Sequence, residues 1–262
     1  MNPASDAEAP PLPAESPPLR PLPPTPLDRW RAALEIFVVT LGLGLLTEAA
    51  VYALLGPSGT LLELGSGGFA TLLILQNGLA LGLIAIFLRP PGFGERDTLG
   101  FGRRRVGGEV ALGLALFPPV LIAAGLLQAG IARFLPALRT VPDNPLLALI
   151  RSPVDLAAFV ALSVLAGGVG EETIRAFVLR RFEVYLGGIG WGLVVWSTLF
   201  GLLHAVQGVD KAIVVGLLGL TLGAIYVWRR SPVAPIVLHA LFDLFQTVVA
   251  FVAREGSGGA GG

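Results

Sequence analysis

The sequence predicts an all-α protein that crosses a membrane about seven to eight times, and two observations support that prediction. Of the 262 residues, 54% are hydrophobic and 14% are charged, whereas soluble domains carry about 25% charged residues. Several apolar stretches also reach the roughly 20 residues that a helix needs to span a bilayer. With so little polar surface, most of the chain must face lipid or other parts of the protein, so a bundle of transmembrane helices is expected.

Seven apolar spans lie between a proline-rich start and a glycine-rich end. Residues 1–28 contain ten prolines, which prevent a regular helix and predict a disordered tail, and residues 256–262 predict a flexible glycine-rich tail. The amphipathic stretch 171–186 either extends the fourth span or forms a separate short helix. The spans lie at about 30–55, 68–88, 107–132, 153–170, 190–206, 211–228 and 232–253.

Positive charge is divided unevenly between the two sides that these spans define. Thirteen of the eighteen Lys and Arg residues fall on the side of the N-terminus and five on the other. Because cytoplasmic loops carry an excess of Lys and Arg, the sequence predicts a multi-pass cell-membrane protein with a cytoplasmic N-terminus.

A net charge of zero without a basic stripe argues against a nucleic-acid partner. The lack of cysteine excludes disulfides and thiolate chemistry.

Ionisable residues inside a membrane are costly and therefore point to function, and the first group of them ends the fourth span. Glu171 and Glu172 are adjacent, and Arg175 follows at a spacing that reaches either carboxylate on a helix. We take the two glutamates as candidate catalytic residues and the arginine as a supporting residue. The alternative is a charged helix end with a local ion pair.

Two histidine motifs follow in later spans. Phe200-x-x-x-His204 lies in the fifth span, and His239-x-x-x-Asp243 lies in the seventh, where the spacing puts both side chains on one helical face. His204, His239 and Asp243 are candidate catalytic residues, and Phe200 is a supporting residue. The alternatives are a histidine that only packs and a His–Asp hydrogen bond that joins two helices.

Together these residues supply the groups that amide hydrolysis requires. A carboxylate can take a proton from water, and hydrogen-bond donors can hold the oxyanion. Two imidazoles and a carboxylate are also acceptable zinc ligands, so a metal-dependent site would use His204, His239 and Glu171. The HExxH signature of soluble zinc peptidases is absent, and no metal is assigned.

In this order the three motifs resemble those of the CPBP family, the CAAX-protease and bacteriocin-processing intramembrane peptidases. That family places Glu-Glu-x-x-x-Arg, Phe-x-x-x-His and His-x-x-x-Asn/Asp on successive transmembrane helices. Here the Glu–Arg interval is one residue shorter, which rotates Arg175 by about 100°. The resemblance covers about residues 145–250. We therefore assign 141–255 to a catalytic helical core and 29–140 to N-terminal transmembrane helices without a recognisable motif.

The resemblance implies an endopeptidase that cuts membrane-bound peptide or protein substrates and has the lipid bilayer as its surroundings. It also implies that Glu171 is the base for the attacking water, aided by His204, while His239 and Asp243 hold the oxyanion.

Two other classes of function stay open. One is a membrane scaffold that kept the fold and lost the chemistry. The other is a small proton-coupled transporter in which Glu171, Glu172 and Asp243 carry protons, a class that often shows inverted repeats, which are not visible here. A peptidase needs His204 and His239 within about 12 Å of each other, the reach of one bound water or ion.

Overall fold

The computed structural model describes residues 23–89, 99–102 and 105–258, and the regular elements in these ranges are all helical. Most of the tail predicted at 1–28 and the last residues of the tail predicted at 256–262 lie outside the described residues. At their inner ends these predicted tails overlap helices, because the first helix begins at Pro26 and the last ends at Gly258.

Seven apolar helices follow one another as the sequence predicts, which confirms the helical-bundle fold. Six of those described are long and apolar enough to cross a membrane, and α5 is shorter. Residues 171–186 fall almost entirely within α4, so this stretch extends the fourth span. The helices are α1 (Pro26–Leu55), α2 (Gly65–Phe87), α3 (Val106–Phe134), α4 (Pro153–Tyr185), α5 (Ile189–Leu203), α6 (Val209–Arg229) and α7 (Val233–Gly258).

Polar residues and proline fix where α1 and α4 begin. Thr25 and Asp28 form a reciprocal capping box around Pro26 at the start of α1. Ser152 caps α4 in the same manner by accepting a hydrogen bond from the backbone N–H of Asp155. These caps satisfy amide groups that would otherwise have no partner at a helix start.

Ion pairs show that several helix ends share one face of the bundle. Arg181 near the end of α4 lies 2.7 Å from Glu35 near the start of α1. Arg230, which follows α6, lies 2.7 Å from Glu183, also near the end of α4. The ends of α4 and α6 therefore lie beside the start of α1.

A third ion pair adds the start of α3 to the same face. Arg229 at the end of α6 lies 2.7 Å from the buried carboxylate of Glu109. Tryptophan is enriched at membrane interfaces. Exposed tryptophans at the ends of helices on this face are Trp30, Trp191 and Trp228. We call this side of the bundle, which carries Arg181, Arg229 and Arg230, the arginine face.

The helices that carry the motifs approach their neighbours closely because these contacts run through glycines. A Cβ added at Gly201 of α5 would lie 2.7 Å from the carbonyl oxygen of Ala212 on α6. A Cβ added at Gly168 of α4 would lie 2.9 Å from Cβ of Ala240 on α7. Small residues allow this close backbone approach between helices in membranes.

The motif-free helix α2 packs directly against α4. The rings of Phe69 and Phe159 stack with centroids 5.9 Å apart, and Ser66 donates a hydrogen bond to Asp155. The N-terminal helices and the motif-bearing helices therefore share a hydrophobic interior, and α2 reaches the region that precedes Glu171.

Candidate active site

The glutamate pair lies where a π-helical segment of α4 ends. Residues Ser163–Glu171 are π-helical, and Glu172 begins the α-helical part that follows. A Cβ added at Gly167 in this segment would lie 2.5 Å from Oδ2 of Asp243 on α7. Glycine at this position therefore lets the carboxylate of α7 approach the backbone of α4. Wide π-helical turns are frequent at functional sites.

Glu172 is bound by two partners and is buried with both. Arg175 donates to it through Nε at 2.8 Å and through Nη2 at 3.0 Å, and a third bond runs from Arg175 Nη1 to the Gly219 carbonyl at 2.9 Å. His239 Nδ1 lies 2.7 Å from Glu172 Oε1. The shortened Glu–Arg interval thus still brings Arg175 onto Glu172, because residues three apart are neighbours on a helix.

The ring of Phe200 lies between the arginine and both histidines. The Arg175 guanidinium carbon is 4.6 Å from the ring centroid. The rings of His204 and His239 have centroids 4.6 and 5.9 Å from it. The two imidazoles are therefore no farther apart than the sum of these two distances, which lies inside the predicted limit of about 12 Å.

Two partly exposed carboxylates lie near Nε2 of His239, the ring nitrogen that does not contact Glu172. The His239 Nε2 atom lies 3.9 Å from Glu171 Oε2 and 3.7 Å from Asp243 Oδ2. The side chains of Glu171 and Asp243 are 29% and 33% exposed, whereas that of Glu172 is 1% exposed. Of these three carboxylates, Glu171 and Asp243 are the ones that a water molecule or a substrate can reach.

His204 is half-buried and has a defined hydrogen-bond polarity. Its Nδ1 lies 2.8 Å from the carbonyl oxygen of Phe200. A carbonyl only accepts, so Nδ1 carries the proton, and in the neutral ring Nε2 is left as an acceptor. Because the residue ends α5, its side chain also satisfies a carbonyl of the last helical turn.

A metal-dependent site would use His204, His239 and Glu171. Within the described ranges, no group of three or more His, Asp or Glu residues is placed so that it could hold a metal ion. His204 and His239 each use Nδ1 in a hydrogen bond within the protein, which leaves Nε2 of each ring for a ligand. Zinc needs several such donors to converge on one point, and we derive no step through a metal.

Residues outside the three motifs also shape this site. Asn77 of α2 is buried against Gly170, the residue before Glu171, where an added Cβ would overlap Asn77 Oδ1. The three motifs do not include Asn77. Its amide, alone on an otherwise apolar face of α2, is the feature of the sequence that could have indicated it. The other signal is the Gly-Gly-Val-Gly run before the glutamates.

A separate apolar groove lies between α5 and α6. It has a volume of about 420 Å³ and contains none of the seven predicted site residues. Gly201 and Gly216, at the close contact of the two helices, are among its lining residues.

Comparison with known proteins shows that this region is similar to a family of endopeptidases. A family model described as type II CAAX prenyl endopeptidase Rce1-like matches residues 153–245. No curated protein and no solved structure gives a significant match. The matched interval contains all three motifs and covers less than half of the chain. It confirms the resemblance of residues 153–245 to the CAAX-protease family.

Proposed function

We propose that this protein is an intramembrane endopeptidase that hydrolyses peptide bonds of membrane-associated substrates. The observation that supports this proposal best is the unequal environment of the two adjacent glutamates. Glu172 is buried and bonded to Arg175 and His239, while Glu171 beside it is partly exposed. This arrangement gives one carboxylate a structural role and leaves the other for water.

In the proposed reaction Glu171 is the general base. It takes a proton from a water molecule as the water oxygen adds to the carbonyl carbon of the substrate. His204 orients the same water through Nε2, which its bond to the Phe200 carbonyl leaves as an acceptor. When the carbon–nitrogen bond breaks, Glu171 returns the proton to the departing amine.

His239 and Asp243 hold the oxyanion in this scheme. Nδ1 of His239 faces Glu172, so Nε2 is the atom that faces the partly exposed carboxylates. A doubly protonated His239 donates from Nε2 to the carbonyl oxygen, and a protonated Asp243 donates beside it. Asp243 lies against Gly167, so its carboxylate is on the side of α4 that faces α7.

We propose that the site lies inside the bilayer and opens to the cytoplasm at the arginine face. His239 is six residues into α7 from that face, or about 9 Å along the helix. Glu172 is thirteen residues from the end of α4, or about 20 Å. Both of these distances along a helix are shorter than a hydrocarbon core of about 30 Å. The excess of arginine at this face supports a cytoplasmic N-terminus in the cell membrane.

The substrate we propose is a membrane-bound peptide or protein. The family model is named for endopeptidases of prenylated CAAX proteins, so farnesylated CAAX peptides are the first probes to use. Fluorogenic peptides with a single apolar span form the second set, and both should be tested with purified protein in lipid vesicles.

The deciding comparison is between the wild type and Glu171→Ala. We expect the wild type to cleave at least one probe and Glu171→Ala to lose that activity while it stays folded. Glu48→Ala is the matched control, because Glu48 is an exposed glutamate of α1. A wild type that cleaves no probe faster than Glu171→Ala does would contradict the proposal and favour a scaffold of the same fold.

A further inference from the structure

Asn77 is a polar residue on the buried face of an apolar helix. Its neighbours on that face of α2 are Phe69, Ala70, Ala80 and Ile84. Burying an amide without compensation costs free energy, so a residue of this kind needs a physical reason. None of the three motifs includes it.

Only one end of the Asn77 amide is bonded. Its Nδ2 donates to the Leu73 carbonyl at 3.0 Å. Its Oδ1 is buried and accepts no hydrogen bond from any residue in the described part of the chain. The carbonyl of Leu73 accepts only, so it fixes Nδ2 on its own side and leaves Oδ1 facing Gly170. A buried acceptor without a partner in a native fold usually marks strain, function or a missing ligand.

The unpaired oxygen lies against the residue that precedes the proposed general base in the chain. It is packed against Gly170, and the next residue along the chain is Glu171. Consecutive Cα atoms are about 3.8 Å apart, and an extended peptide advances about 3.3–3.6 Å per residue. A substrate that has its scissile carbonyl at Glu171 and runs from there toward α2 would pass Asn77 within about two residues of the cleaved bond.

A peptide substrate in this position needs the acceptor that Asn77 provides. A peptide bond must leave its helix to be cut, and its backbone N–H groups then lose their partners. In hydrocarbon each unsatisfied group costs several kcal/mol. Glu171 and Asp243 take part in the proposed chemistry and are not available to accept this hydrogen bond. Asn77 is neutral, and its Oδ1 has no partner among the described residues. Because Oδ1 is buried in this structure, a substrate N–H reaches it when the terminal torsion of Asn77, which is soft in asparagine, turns and the bond to Leu73 breaks.

We infer that Asn77 Oδ1 binds a backbone N–H of the substrate, within about two residues of the scissile bond. This inference rests on the proposed peptidase function and adds a substrate-binding residue from the motif-free helices. Asn77 thereby fixes the register of the peptide relative to Glu171.

Substrates in which one backbone N–H is replaced by an ester oxygen test this inference. The probe is the fluorogenic peptide that the wild type cleaves best, with one ester at each position around the scissile bond. Asn77→Ala is combined with Gly170→Ala, because the added Cβ at 170 fills the space that Asn77 Oδ1 occupies. Asn77→Leu, of similar shape, is the second variant. Gln76→Leu is the control, since Gln76 accepts a hydrogen bond from Thr47 instead.

We expect one ester position to lower kcat/KM of the wild type and of Gln76→Leu about five- to tenfold, the value of one hydrogen bond. The same ester should change kcat/KM of the Asn77→Ala/Gly170→Ala variant little. Thermal unfolding of each variant shows that it is folded, and Asn77→Leu replaces the double variant if that does not fold. A merely structural Asn77 would lower activity equally on amide and ester substrates.

Equal ester losses in the wild type and the Asn77 variants overturn this inference alone, since the wild type then still exceeds Glu171→Ala. A wild type no more active than Glu171→Ala overturns the proposed function, and the role of Asn77 falls with it.

Discussion

Replacing Arg175 by leucine removes the positive partner of a carboxylate that is almost completely buried. The side chains of Arg175 and Glu172 are 0% and 1% exposed. Arg175 donates two hydrogen bonds to Glu172 and one to the Gly219 carbonyl, and it contacts the ring of Phe200. Leucine replaces none of these bonds, so the variant leaves the Glu172 charge with His239 alone.

Removal of one partner from a buried ion pair costs about 3–5 kcal/mol. For a protein of this size that cost corresponds to a fall in the unfolding midpoint of roughly 6–20 °C. Thermal unfolding in detergent, followed by tryptophan fluorescence, measures the change. The double variant Arg175→Leu/Glu172→Leu should recover part of the loss, because it removes the unpaired charge as well.

Arg180→Leu is the matched control on the same helix. Arg180 is partly exposed, and its pair with Glu183 should contribute about 0–1 kcal/mol. If Arg175→Leu unfolded at the same temperature as Arg180→Leu, the buried pair would not hold Glu172 in place. The division of roles between the two glutamates would then lose its physical basis.

Two further predictions concern the site and the orientation of the chain. Gly167→Ala places a Cβ 2.5 Å from Asp243 Oδ2, so Asp243 must shift, and cleavage should fall by up to about 100-fold with the fold retained. Gly78→Ala has open space, so its activity should be unchanged, and equal activity of both variants would contradict this. Reporter fusions should place Arg105 in the cytoplasm and Lys211 on the other side; both on one side would refute the orientation.

The sequence alone predicts the number and order of the helices because hydrophobic length is a local property. A span of about 20 apolar residues forms a helix in lipid whatever its neighbours are. The same reasoning places Glu171, His204 and His239 on three successive motif-bearing helices. What it leaves open is how a stretch such as 171–186 joins its neighbours, which the structure resolves as a continuation of α4.

Contacts between helices that are distant in sequence decide the rest. Spacing on one helix lets Arg175 reach either glutamate, and only the positions of His239 on α7 and Gly219 on α6 select Glu172. No motif marks Asn77, because its closeness to Gly170 depends on how α2 packs against α4. Composition and spacing therefore determined the membrane fold and the candidate residues. Tertiary packing decided which carboxylate is buried, because burial is set jointly by several helices.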